Sequence, residues 1–222
     1  MFTPDTEKRV TLFAGHYGSG KTNIAVNYAV ALSKLGKSVT IADLDIVNPY
    51  FRTKDSEKLF RENGIELVSS EFANSNVDLP ALPQELYGVV QRRERHAVMD
   101  IGGDDRGAYA LGRYTPYILE ENSYEMIFVM NFYRPLTRTA EEALEVMHEI
   151  EAAGGIPFTA LVNNSNVGAD TSPADIEETF RRADELSRMS GLPVIMTTAE
   201  TGIADKVDAD NVFPLVLQEK IF

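Results

Sequence analysis

The chain has 222 residues, no cysteine, 34 acidic against 21 basic residues and a formal net charge of −13. The length suits one α/β domain with a sizeable core, read as spanning residues 1–222. The missing cysteines exclude disulfides, thiolate metal sites and cysteine-held iron–sulfur clusters, and the acidic balance argues against a nucleic-acid partner held by its phosphates. No apolar run approaches the roughly 18 residues of a membrane span. Residues 1–9 lack the apolar centre of a signal peptide, and residues 212–222 are too short for a membrane-surface helix. A cytoplasmic protein without membrane contact is expected.

In chain order, Val10-Thr11-Leu12-Phe13-Ala14 is β-branched and apolar, and reads as a buried strand. It runs into Gly15-His16-Tyr17-Gly18-Ser19-Gly20-Lys21-Thr22, which meets the pattern G-x-x-x-x-G-K-[ST] at each fixed position. Residues 23–32 then carry apolar side chains at helical spacing with neither Gly nor Pro. A helix is predicted over 21–35, stopped at Gly36. Strand, glycine-rich loop and helix are what a phosphate cradle needs. Gly15, Gly18, Ser19 and Gly20 are small enough for main-chain N–H groups to close around a phosphate. The helix start adds the positive end of its dipole. Lys21 brings a mobile cation to the β- and γ-phosphates, and the Thr22 hydroxyl a ligand for Mg²⁺. His16 lies in the same loop and is counted among the nucleotide-binding residues.

A second strand over 38–42 runs into Asp43-Leu44-Asp45. Carboxylates two residues apart share one side of extended chain. Beside Mg²⁺ and a γ-phosphate, one can order metal-bound water and the other position the attacking water. Asp43 and Asp45 are therefore metal-site candidates, with Asp45 and Lys21 the catalytic candidates. A helix over 56–63, a strand over 65–69 and a helix over 85–91 follow. The basic cluster Arg92-Arg93-Glu94-Arg95 is expected to cap that helix's end. The strand over 97–101 carries Asp100, and Asp100-Ile101-Gly102-Gly103 has D-x-x-G spacing. Such a segment holds the Mg²⁺ shell with its carboxylate, and a glycine N–H, here that of Gly103, can meet the γ-phosphate.

Later elements are helices over 109–119, 140–153 and 173–190, and strands over 126–130, 159–163 and 194–198. Thr139 with Glu142 forms a capping box, Ser172 caps a helix whose first residue is Pro173, and Gly191 ends it. The strand over 159–163 ends in Asn163-Asn164-Ser165-Asn166. A guanine reader of the N-K-x-D type needs a carboxylate at the fourth position, where Asn166 stands. Asn163 still offers an amide able to donate to and accept from an adenine edge, so ATP is favoured over GTP. Short apolar strands alternating with helices predict a doubly wound, mainly parallel sheet covered on both faces. Each motif falls at a strand's carboxyl end, where such sheets bind ligands.

Together these motifs resemble the MinD/ParA-like branch of P-loop NTPases, in the CobQ/CobB/MinD/ParA superfamily. The resemblance covers nearly the whole chain: the phosphate loop, D-x-D after the second strand, D-x-x-G after the fourth and Asn after the sixth. It implies ATP with Mg²⁺, Asp45 orienting the hydrolytic water, Asp43 supporting the metal site and Asp100 in the outer metal shell. It also implies a protein partner, and a homodimer that sandwiches ATP and opens on hydrolysis to ADP. One position departs. The family's G-K-G-G-x-G-K-[ST] loop carries a first lysine that reaches the partner's nucleotide, whereas this chain has His16 followed by Tyr17. That lysine's role does not carry over, and dimerisation is left open. The resulting expectation is a Mg-dependent ATPase acting as a nucleotide switch that regulates or matures a partner. Two alternatives stand beside it. One is an ATP-dependent small-molecule ligase or kinase, with Arg52, Arg106 or Arg134 holding the acceptor. The other is a nucleotide-binding module that does not hydrolyse.

Overall fold

A computed structural model describes residues 1–44, 56–69, 84–103 and 105–217. Among these, eight strands form one sheet in the order β3-β2-β4-β1-β5-β6-β7-β8. They are β1 Val10–Ala14, β2 Val39–Leu44, β3 Glu66–Ser69, β4 His96–Ile101, β5 Tyr124–Met130, β6 Ala160–Asn163, β7 Val194–Glu200 and β8 Val212–Leu215. Every neighbouring pair is parallel, as the near-continuous apolar runs of the central strands require. The helices are α1 Lys21–Lys34, α2 Glu57–Glu62, α3 Gln84–Gln91, α4 Asp105–Gly112, α5 Thr115–Glu121, α6 Ala140–Gly154, α7 Pro173–Glu177 and α8 Phe180–Ser190. None of the described helices is long and apolar enough to cross a membrane.

The helices divide between the two faces. One layer packs α1 and Phe60 of α2 onto Phe13, Ile41, Val98, Ile127 and Val129. The other packs α3, α4, α5, α6 and α8 onto Leu12, Ala42, Met99, Met126 and Phe128. Alternate residues of each central strand thus face opposite layers. From β1 the chain winds one way through β2, β3 and β4, then crosses to β5 and winds the other way. The reversal lies between β1 and β5, and sheets of this kind bind ligands in the crevice beyond the carboxyl ends at that point.

Two predicted helices are each divided in two. The helix expected over 109–119 breaks after Gly112, because Pro116 has no N–H to donate and its ring would meet the Gly112 carbonyl four residues back. The helix expected over 173–190 breaks at Thr179, whose hydroxyl donates to the Ile176 carbonyl and accepts from the Asn163 amide at 2.8 Å. The caps fall where expected: Thr139 with Glu142 and Ser172 with Asp175 form capping boxes, and Gly191 ends α8 in the left-handed region. Residues 212–215, given no element from the sequence, form edge strand β8.

At the opposite end of the strands from the crevice, Arg9 is a buried rivet. Its guanidinium grips Glu121 through two bonds of 2.5 and 2.6 Å and donates to the carbonyls of Val89 and Val90 in α3's last turn. The α3 end is therefore capped by a remote arginine. The basic cluster that follows it turns elsewhere: Arg92 and Arg95 pair with Glu66, at 2.8 and 3.4 Å.

Candidate functional site

The loop between β1 and α1 closes tightly. Ser19 N donates to the His16 carbonyl at 3.1 Å, and Gly18 and Gly20 both take positive φ, 75° and 91°. Gly20 is the residue before α1, and a side chain there would be strained by that φ and would collide with the Asn164 amide. The Gly15 α-carbon lies against the Val129 carbonyl of β5, with no room for a methyl group. The buried Ser19 hydroxyl has no hydrogen-bond partner among the described residues. The loop thus retains an unspent donor within a ring of main-chain amides, as an anion cradle does.

Lys21 and Thr22 open α1 and are both buried. The Lys21 ammonium curls back over the loop to within 3.3 Å of the His16 carbonyl. His16 itself is half-buried, with Nδ1 donating to the Tyr17 carbonyl at 3.0 Å, while Tyr17 is 50% exposed.

The acids converge through strand register. Asp43 on β2 and Asp100 on β4 are Cα partners, and Asp100 is in turn paired with Phe13 of β1. Their parity places both on the sheet face that α1 covers, the helix that begins with Lys21 and Thr22. Both are buried. Asp45, the candidate for positioning water, lies outside the described residues, as does Arg52. After β4, Gly103 runs directly beneath the loop. A β-carbon on it would stand 2.6 Å from Tyr17 N and 2.8 Å from Lys21 Nζ. The D-x-x-G segment therefore runs close to the loop's cation, with no room for a methyl group between them.

The third wall is the turn after β6. Asn163, expected at the base, is fully buried, donating to Thr179 at 2.8 Å and accepting from Ser165 N at 3.1 Å. The amide that reaches the loop is its neighbour, Asn164. It donates to the Ser19 carbonyl at 2.5 Å and accepts from the Thr198 hydroxyl. With Asn164 as first residue of the amide motif, the fourth is Val167, so this register also lacks a carboxylate. Sequence reading cannot choose between two adjacent asparagines, because the choice depends on where the β6 pleat ends. The fourth wall is the loop from β5 to α6, where Arg134 Nε donates to the Gly18 carbonyl at 3.0 Å.

Comparison with protein families matches residues 10–171 to the CobQ/CobB/MinD/ParA nucleotide binding domain. The chain belongs to this family. Its members are P-loop NTPases, and this chain is a nucleotide-binding P-loop NTPase of that family. No match was found among curated protein sequences. Among solved structures, FtsY from Mycoplasma mycoides is similar at TM-score 0.58 and 14% identity, over 88% of this chain and 61% of that one. Chloroplast FtsY from Physcomitrella patens is similar at TM-score 0.57 and 17% identity, over 87% and 59%. The 54 kDa signal recognition particle protein from Aeropyrum pernix, in complex with GDP, is similar at 0.52 and 15%, over 86% and 41%. The chain thus spans about three fifths or less of these relatives' lengths, and the likeness is one of fold.

Proposed function

We propose that the chain is a Mg²⁺-dependent ATPase that works as a nucleotide switch on a protein partner. The observation that carries this reading is the close approach of Gly103 to Tyr17 N and Lys21 Nζ, which leaves no room for a β-carbon. Lys21 is the group that follows the β- and γ-phosphates in a P-loop. A shift of its ammonium toward Gly103 on gain or loss of a γ-phosphate would displace the Gly103 backbone, since not even a methyl group fits between them. Helix α4 begins two residues later, at Asp105, so the displacement has a rigid lever to carry it to the surface.

The oxygen donors suit magnesium. Thr22, Asp43 and Asp100 lie on the same face, and an all-oxygen set of hydroxyl and carboxylates is what this hard cation takes, with waters filling the rest. Held there by Thr22, Asp43 and Asp100, Mg²⁺ would offset the charge of the bound phosphates. The same reading gives Thr22 a direct bond to the ion, Asp43 and Asp100 the ordering of its water shell, and Asp45 the attacking water. The preference for adenine rests on Asn164 as the base-side amide with Val167, not a carboxylate, three residues on. The GDP in the Aeropyrum pernix relative makes a direct comparison of bases the deciding test.

Titration calorimetry with Mg-ATP and Mg-GTP tests the reading, together with phosphate release. The wild type should bind ATP more tightly than GTP and turn it over slowly, faster once a partner is added. Lys21→Ala should weaken triphosphate binding by about 10–100-fold, the worth of a charge-assisted hydrogen bond. Unchanged affinity removes Lys21 from the site. Tighter GTP binding overturns the base assignment, and turnover that needs a small acceptor replaces the switch with a ligase or kinase.

A further inference from the structure

The loop from β5 to α6 is built more firmly than a simple connection needs. Asn131 organises it: its carbonyl accepts from Arg134 N at 3.1 Å and from the Thr137 hydroxyl at 2.8 Å, and its side-chain oxygen accepts from Tyr133 N at 3.1 Å. Ser165 Oγ accepts from Phe132 N at 3.0 Å, and the Tyr133 hydroxyl donates to the Asp175 carbonyl at 2.7 Å. Leu136 holds a left-handed φ of 65°, a conformation that costs a branched residue energy and persists where surroundings dictate it. The result of this scaffolding is the placement of Arg134. Its Nε donates to the Gly18 carbonyl at 3.0 Å, and its Cδ and Nε lie 3.8 Å from where a Gly18 side chain would begin.

Two features make this arginine unusual. The chain has an acidic excess of 13 charges, yet Arg134 has no carboxylate partner among the described residues. Its terminal amino groups likewise have no hydrogen-bond partner there. A half-buried guanidinium held by Nε alone, at the rim of an anion cradle, has a planar fork of N–H donors left for an incoming oxyanion. Lys21 is the sole Lys or Arg within residues 15–22, and a magnesium-bound triphosphate keeps more negative charge than one ammonium cancels.

We propose that Arg134 is a triphosphate clamp acting in cis. Its Nε stays on the Gly18 carbonyl while its terminal N–H groups bind the γ-phosphate of the nucleotide in the same protomer, so that the site distinguishes triphosphate from diphosphate. This rests on the P-loop reading above and adds to it the group that detects the third phosphate.

The experiment is calorimetry with ADP and with a non-hydrolysable ATP analogue on wild type, Arg134→Gln and Arg134→Lys, each checked for folding by circular dichroism. Arg134→Gln should lose about 10–100-fold in affinity for the triphosphate analogue and less than about threefold for ADP, with Arg134→Lys between. Equal losses for both nucleotides would make Arg134 a prop for the loop and overturn the clamp, as would no loss for either. Wild-type protein that is folded yet binds neither nucleotide overturns the P-loop reading itself, a result distinct from failure of the clamp. Mixing Arg134→Gln with Lys21→Ala protomers separates cis from trans. No recovery of ATP turnover is expected, and recovery overturns the cis assignment.

Discussion

Gly103 shows how little space the site leaves. An alanine there places its methyl 2.6 Å from a main-chain nitrogen of the P-loop and 2.8 Å from the Lys21 ammonium, and the main-chain atom cannot swing aside. Gly103→Ala should therefore lower triphosphate affinity by about tenfold or more, the loss expected when one charge-assisted bond is misplaced. Calorimetry on the folded variant checks this, and wild-type affinity would mean that the segment does not attend to Lys21. This residue was legible from the sequence because D-x-x-G spacing ties it to Asp100, and the strand–loop–helix context fixed Gly15 to Thr22 in the same way. Asn164 and Arg134 were harder to read. An amide's role depends on which way the last strand residue points. An arginine in a loop of ordinary composition gives no sign that its neighbour in space is Gly18, 116 positions away.

At the scale of elements, local signals located seven of the eight described strands, the Thr139 capping box and the Ser172 cap, but neither β8 nor the two helix breaks. Pro116 could have announced the first break, since a proline four residues after Gly112 removes a bond from any helix spanning them. Thr179 could not, because its pull comes from Asn163 on a strand 16 residues earlier. The Arg9 rivet is similarly non-local, joining the start of β1 to α3 and α5. Arg9→Met should cost about 3–5 kcal/mol, because Glu121 is then left as a buried charge and the α3 carbonyls lose their donor. Urea unfolding measures this. A loss below about 1 kcal/mol would reduce the rivet to an ordinary surface pair.

Over the whole molecule, one half-buried acid carries a desolvation cost. Glu125 sits on β5, paired in register with Thr11, and burial pushes its carboxyl up, helped by the nearby Asp5 and opposed by Lys8. The folded protein thus holds this proton more tightly than the unfolded chain does. The penalty for the ionised form is full above the folded-state pKa, shrinks as pH falls through it, and is gone below the unfolded value of about 4.3. Glu125→Gln should therefore be more stable than wild type at pH 7, with the two urea midpoints converging near pH 4. A difference that stays constant across that range would show that packing, not charge, sets it.

The pairing of Asp43 with Asp100 has one more consequence. Side chains alternate along β4, so seating that strand one residue out of step would rotate Asp100 away from α1 and into the layer lined by Leu12, Met126 and Phe128. An ionised carboxylate has no counter-charge in such a hydrocarbon layer and resists burial there. The acid proposed for the metal's water shell therefore also acts as a checkpoint on assembly: chains that zip up wrongly are penalised by the carboxylate that correct pairing would have kept beneath α1.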